Sequence, residues 1–122
     1  MFKKITYTNE MEILFSEANL VCFSGTVLQG ATVADADGKK YVVAGSFIDA
    51  TGAVVTQTGT EGAETLSAVT VGVLYQTVDV TNGNEACSLV VEGYLRADRV
   101  LLPFAAAAVT LIKEALTEIK FR

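Results

Sequence analysis

The chain carries two cysteines, fourteen acidic and nine basic side chains, four tyrosines and no histidine. Without histidine it lacks the usual general base, the usual partner of a serine or cysteine nucleophile, and the commonest zinc ligand. Cys22 and Cys87 both sit in apolar, strand-like runs, which predicts small buried hydrophobes with free thiols rather than a disulfide or a nucleophile. Asp35-Ala36-Asp37-Gly38 has the flavour of a calcium loop. With Gly38 in the sixth position, however, the twelfth falls on Ala44, which has no carboxylate, and the first on Val33. The glycines between Thr58 and Thr65 are not followed by Gly-Lys-Ser or Gly-Lys-Thr, so no phosphate loop is encoded. Carboxylate pairs such as Asp35/Asp37 and Glu61/Glu64 fall in a turn and a loop, where water screens them. The residues predict no enzyme, no metal and no cofactor, and a domain that works by contact.

The totals narrow the partners. Net charge is −5 and the basic residues do not cluster, which argues against nucleic acid. No apolar run approaches the ~18 residues of a membrane-spanning helix. Met1-Phe2-Lys3-Lys4 is not followed by the apolar stretch of a signal peptide, so the protein is expected to be used where it is translated. At 122 residues and 51% apolar, one folded domain is expected, with part of its apolar surface buried against other subunits.

The elements that would position these side chains are mostly strands. Val69 to Tyr75 places its apolar residues on odd numbers, while Val78 and Val80 fall on even ones. A period of two cannot change phase without an extra residue or a bend, which is expected near Gln76-Thr77. Asn82-Gly83 then predicts a type I′ hairpin leading into a return arm with Cys87, Leu89, Val91 and Leu95 on one face. Asp37-Gly38 predicts a second hairpin, between residues 31–34 and 40–44. Short strands are expected at Ser46–Ile48, at Ala53–Thr56 and from Leu20 to Leu28, the last kinked at Ser24-Gly25. Thr58 to Thr65 reads as an exposed mobile loop. Pro103 suits a first helical turn, and Phe104 to Thr117 reads as one amphipathic helix, followed by a closing strand with Ile119 and Phe121 inward. The fold class is mainly β: an antiparallel β-sandwich or barrel-like domain with one short C-terminal α-helix.

Two segments are candidates for contact. Lys3 to Thr8 alternates as a short strand. Glu10 to Ala18 mixes Met11, Ile13, Leu14 and Phe15 with glutamates, as one amphipathic turn, an extended arm that packs only on a partner, or an edge strand of the same domain. Arg96-Ala97-Asp98-Arg99 is a compact charged cluster, able to pair with itself on the surface or to bridge to a neighbouring subunit.

Several segments, taken in order, resemble those of small head decoration proteins of tailed bacteriophages, the type found in phages of Gram-positive hosts. They are Asp37 to Gly45, Val71 to Leu74, Val78 to Gly83, Glu92 to Arg99 and Ala115 to Phe121. The resemblance implies a homotrimer on the outer surface of the virion, made in the host cytoplasm, clamping major capsid protein subunits. It implies an N-terminal capsid-binding arm over residues 1–20, using Phe2, Ile5, Tyr7, Met11, Ile13 and Phe15, and a β decoration domain over residues 21–122. Arg96, Asp98 and Arg99 would lie at the subunit interface. On this reading, deleting Met1 to Ala18 is expected to leave the fold intact and abolish capsid binding. The alternative within the virion is a head fibre or host-surface adhesin, with the Thr58–Thr65 loop binding carbohydrate. A barrel-sandwich-like scaffold module, suggested by Gly25 to Gly30, lacks a modifiable lysine at an obvious tip.

Overall fold

The computed structural model describes residues 13–30, 34–102 and 104–122. Its strands are β1 (Leu14–Val27), β2 (Tyr41–Val42), β3 (Phe47–Asp49), β4 (Gln57–Thr60), β5 (Ala63–Leu66), β6 (Thr70–Leu74), β7 (Val78–Asp79), β8 (Glu85–Leu95) and β9 (Ile119–Phe121). Two helices, α1 (Ala97–Val100) and α2 (Ala106–Ala115), lie between β8 and β9. The fold is mainly β, as its sequence predicts.

β8 is the hub of the main sheet. One edge pairs antiparallel with β1 from Leu95↔Leu14 to Glu85↔Val27. The other takes β6 at Leu89 and Val90, then β9 from Gly93 to Leu95. β3 completes the sheet beyond β6. β9 is parallel to β8, and the α1–α2 connection supplies the crossover that a parallel pair requires.

Consecutive residues of the inner strands face opposite sides of this sheet, and both sides are buried. Phe47, Val73 and Val90 join Ile112, Leu116, Val100 and Ile119 in one apolar cluster, on the helical side. Ile48, Leu74 and Leu89 join Val27, Val42 and Val80 in another, beneath the β2–β7 ribbon. A strand covered on both faces reads as a continuous apolar run, which explains why a one-faced alternation describes β6 and β8 poorly. Leu89 and Leu95, expected on one face, belong to different clusters. Val69 and Val71, expected to share an inner face with Val73, are exposed. The chain bends at Tyr75-Gln76, and β7 leaves the main sheet to pair with β2.

That departure also alters the Asn82-Gly83 turn. The type I′ geometry needs positive φ at both residues; Gly83 has φ 130 while Asn82 is not among the positive-φ residues. The turn closes instead from the Gly83 N–H to the Val80 carbonyl (3.1 Å), with the Asp79 carboxylate accepting from the Thr81 N–H (2.9 Å). Asn82-Gly83 therefore links strands of two sheets. The Asp35–Gly38 turn is present, with the Gly38 N–H bonded to the Asp35 carbonyl at 3.0 Å. Among the described residues its following strand, β2, pairs with β7; residues 31–33 lie outside the described residues.

Three further elements differ from expectation. Thr58 to Thr65 is a hairpin, β4 against β5, with the Thr58 and Thr65 hydroxyls 2.8 Å apart across it. Threonine's β-branched side chain suits a strand, and it outweighs the loop signal of the glycines. Ala53 to Thr56 reduces to a single bridge, Ile48↔Val54. The helix is shorter than Phe104–Thr117: α2 starts after Ala105, whose N–H donates to the Gln57 side-chain oxygen (2.7 Å), and buries Ala108 and Ile112. Arg96 to Arg99 folds into the one-turn α1 and its cap. Pro103 lies outside the described residues.

β1 begins at Leu14, and Ile13 is 4% exposed in the helical-side core, with its carbonyl accepting from the Arg96 N–H (2.7 Å). A boundary after residue 20 thus falls inside a strand of the domain. β1 is irregular there: its register against β8 shifts between Leu14 and Val21, and Asn19 has φ 57.

Candidate interaction surface

Two of the carboxylates with shifted acidity are tied into turns. Asp49 accepts from the Thr51 hydroxyl (2.6 Å) and from the Thr51 and Ala53 N–H groups (2.8 and 3.0 Å). These bonds, led by the Thr51 hydroxyl, hold its carboxyl below the usual aspartate range. Asp79 repeats the Asp-x-Thr pattern with Thr81 and is lowered for the same reason. Groups held in the ionised form by their own turn do not donate or take protons near neutral pH. Burial pushes the thiols of Cys22 and Cys87 up, which disfavours the nucleophilic thiolate. Cys22 is exposed on β1 and Cys87 half-buried on β8, so neither is the fully buried hydrophobe that the runs around them suggest. Among the described residues no group of three or more His, Cys, Asp or Glu could hold a metal ion.

The residues singled out in the sequence fall in two places. Arg96 and Asp98 form a two-pronged pair, Nε–Oδ1 3.2 Å and Nη2–Oδ2 2.8 Å, on an exposed one-turn helix. The Arg96 bond holds the Asp98 carboxyl below its ordinary value. Arg99 follows on the same turn, half-buried. The pair satisfies itself within one chain. At the N-terminus, Ile13 is built into this domain's core and Phe15 is 61% exposed on β1. Phe2, Ile5, Tyr7 and Met11 lie outside the described residues.

The exposed apolar surface was only partly legible. Besides Phe15, the large exposed side chains include Phe23 on β1 (64%), Val69 before β6 (72%) and Leu102 after α1 (79%). Val69 and Leu111 flank a shallow groove of about 370 Å³ between β5 and α2. A larger open groove of about 620 Å³ runs between β2 and the Ala53–Thr56 segment, with Leu28, Tyr41, Val43 and Val54 on its walls. Apolar side chains on strands that the alternation places in the core are the sequence signal for such surface, but alternation alone does not say which end of a strand overhangs the sheet. β1 lies at the sheet's edge among the described strands. Its 14 residues contain no lysine or proline, two of the devices by which proteins discourage strand addition at an edge.

No helix among the described residues is long and apolar enough to cross a membrane. The exposed features are two apolar grooves, a strand bearing exposed phenylalanines at the edge of the described sheet, and a charged one-turn helix. No protein-family model, no curated protein and no solved structure matches this chain.

Proposed function

We propose that the protein decorates the head of a tailed bacteriophage, binding as a trimer to the outer surface and clamping major capsid protein subunits. The observation that carries this reading is the resemblance of five ordered segments from Asp37 to Phe121 to head decoration proteins. These segments lie in the Asp35–Gly38 turn and β2, in β6, in β7 with its turn, at the end of β8 with α1, and at the end of α2 with β9. The physical logic is avidity: three modest contacts at fixed geometry hold far more tightly than one, and together they resist subunits pushed apart by packaged DNA.

Support comes also from the distribution of chemistry. The shifted carboxylates serve turns or the Arg96–Asp98 pair, both thiols are shifted away from reactivity, and large apolar side chains stand on the surface. The rival adhesin reading places sugar binding at the β4–β5 hairpin. That hairpin contains no aromatic residue on which a sugar ring could stack, so the decoration reading is preferred. Residues 1–8 remain the candidate capsid-binding arm, with Phe2, Ile5 and Tyr7 as its anchors, and Phe15 offers a further exposed ring on β1.

The test is to mix purified protein with undecorated capsid shells of tailed phages of Gram-positive hosts and to image the shells by electron microscopy. Added density at three-fold and pseudo-three-fold positions supports the reading. Shells that stay bare, across a panel that takes up its own decoration proteins, contradict it.

A further inference from the structure

β9 is paired on one edge only. Its described partner is β8, and no other described strand lies against its opposite edge. The Gly93 N–H donates to the Glu118 carbonyl and the Arg122 N–H to the Leu95 carbonyl. In a parallel pair this turns the backbone groups of residues 118, 120 and 122 toward β8 and those of Ile119 and Phe121 away from it. The Ile119 N–H is taken by the Leu116 carbonyl (3.2 Å). The Ile119 carbonyl and the Phe121 N–H and carbonyl face outward with no partner among the described residues.

This edge is also basic. Lys113, Lys120 and Arg122 rim an open cleft of about 260 Å³ floored by Leu116, Ile119 and Phe121. Burial alternates along β9, with Ile119 inward and Lys120 outward, so Lys120 and Arg122 share the solvent side. Three of the nine basic residues of a chain with net charge −5 thus stand together. None of them is in an ion pair among the described residues. The nearest carboxylates in sequence are Glu114 and Glu118.

We propose that the outer edge of β9 accepts, as an added strand, the segment Asn9–Glu12 of a second copy of this chain, with Glu10 and Glu12 set against Lys120 and Arg122. The charges are complementary at the spacing a strand demands, because residues two apart share a face on both sides of the contact. Reach decides between the chain's own segment and a neighbour's. Ile13 is bonded to Arg96 on the β1 side of β8, and a strand beyond β9 lies three strand spacings away, about 14 Å. Glu12 is one residue from Ile13, about 3.8 Å, so a chain's own Glu12 does not reach that position. The contact joins two different surfaces, so it propagates from copy to copy, as a ring where the rotation between copies closes and as an open filament where it does not. That the ring holds three copies rests on the decoration reading; the contact itself does not.

The test is sedimentation of the full-length protein at several concentrations. The variants are Lys120→Glu with Arg122→Glu, Glu10→Lys with Glu12→Lys, and all four changes together. Either reversal alone is expected to weaken assembly by about tenfold or more, and the fourfold variant to restore it. The proposal is overturned if the parent chain is monomeric, if either reversal leaves assembly unchanged, or if the fourfold variant stays as weak as the double ones. Far-UV circular dichroism checks folding. Should the first pair misfold, Lys120→Gln with Arg122→Gln gives the same reading through a smaller loss. A trimer that ignores these charges refutes the β9 contact and leaves the decoration reading standing, because binding to shells is measured separately.

Discussion

The ring of Phe104 meets that of Phe47 edge-on, with centroids 5.4 Å apart and planes inclined by 79°. Phe47 is 1% exposed at the centre of the helical-side core, and Phe104 closes over it from the segment leading into α2. The pair therefore couples the sheet to the helical layer. Phe47→Ala should destabilise the protein by about 3–5 kcal/mol, through lost burial and the cavity left behind. Phe104→Leu keeps an apolar group but loses the ring edge, and should cost about 0.5–1.5 kcal/mol. Urea unfolding of the two variants checks the ranking; a Phe104→Leu variant as stable as the parent would show that Phe104 contributes no specific ring contact.

Two glycines separate close approach from backbone strain. Gly52 has φ 95, and a Cβ there would lie 2.3 Å from the Thr26 carbonyl oxygen. Gly83 has φ 130 with nothing within 4 Å of such an atom. Gly83→Val should cost about 1–3 kcal/mol through conformation alone. Gly52→Ala meets the same strain and also collides with the backbone of β1, so it should be the more damaging change although its side chain is the smaller. Thermal melts that rank Gly83→Val below Gly52→Ala would contradict the packing of the Asp49–Gly52 turn on β1.

Acid should expose the role of Asp49. Its folded-state pKa lies below the ordinary aspartate value because the ionised carboxylate accepts three bonds from Thr51 and Ala53. A depressed value means that the stabilisation is present above the unfolded pKa of about 3.9 and is lost as pH falls through the lower folded value. The parent chain should exceed Asp49→Asn by about 1 kcal/mol near neutral pH, with the gap closing below about pH 4. Melting curves at pH 7 and pH 3 make the comparison, and a gap that widens in acid would refute this account of the turn.

Truncation distinguishes the arm from the domain. Deleting residues 1–12 stops short of Ile13 and should leave the melting transition of the described domain largely in place. Deleting residues 1–18 also removes Ile13 from the core and the first turns of pairing between β1 and β8. That further loss should be about 2–5 kcal/mol, the range for emptying a buried aliphatic site. Equal stability of the two truncations would show that the Ile13 contact contributes nothing.

The truncation pair also marks where local sequence stops specifying structure. Ile119 and Phe121 announced an inward-facing closing strand, and the structure has one; its parallel pairing with β8 is set by the length of the α1–α2 crossover rather than by its own residues. Asp35-Ala36-Asp37-Gly38 specifies its turn through local bonds, so local reading suffices there. Asn82-Gly83 does not specify which strands it joins, and the pairing of Val78-Asp79 with Tyr41-Val42 is a long-range choice made by the second apolar cluster. Ile13 looked like an arm residue because neighbouring glutamates masked its burial. Of the candidate surface, the Arg96–Asp98 cluster was legible as a local charge pattern. The exposure of Phe23, Val69 and Leu102 was not, since it depends on which strand forms the edge of the sheet.

The central claim is that three chains act as one clamp, and the mass of the purified protein in solution tests it most directly. Sedimentation velocity at micromolar concentration should give a single boundary corresponding to three 12.9 kDa chains. A boundary at the mass of one chain, unchanged on concentration, would remove the avidity on which the clamp depends and contradict the account.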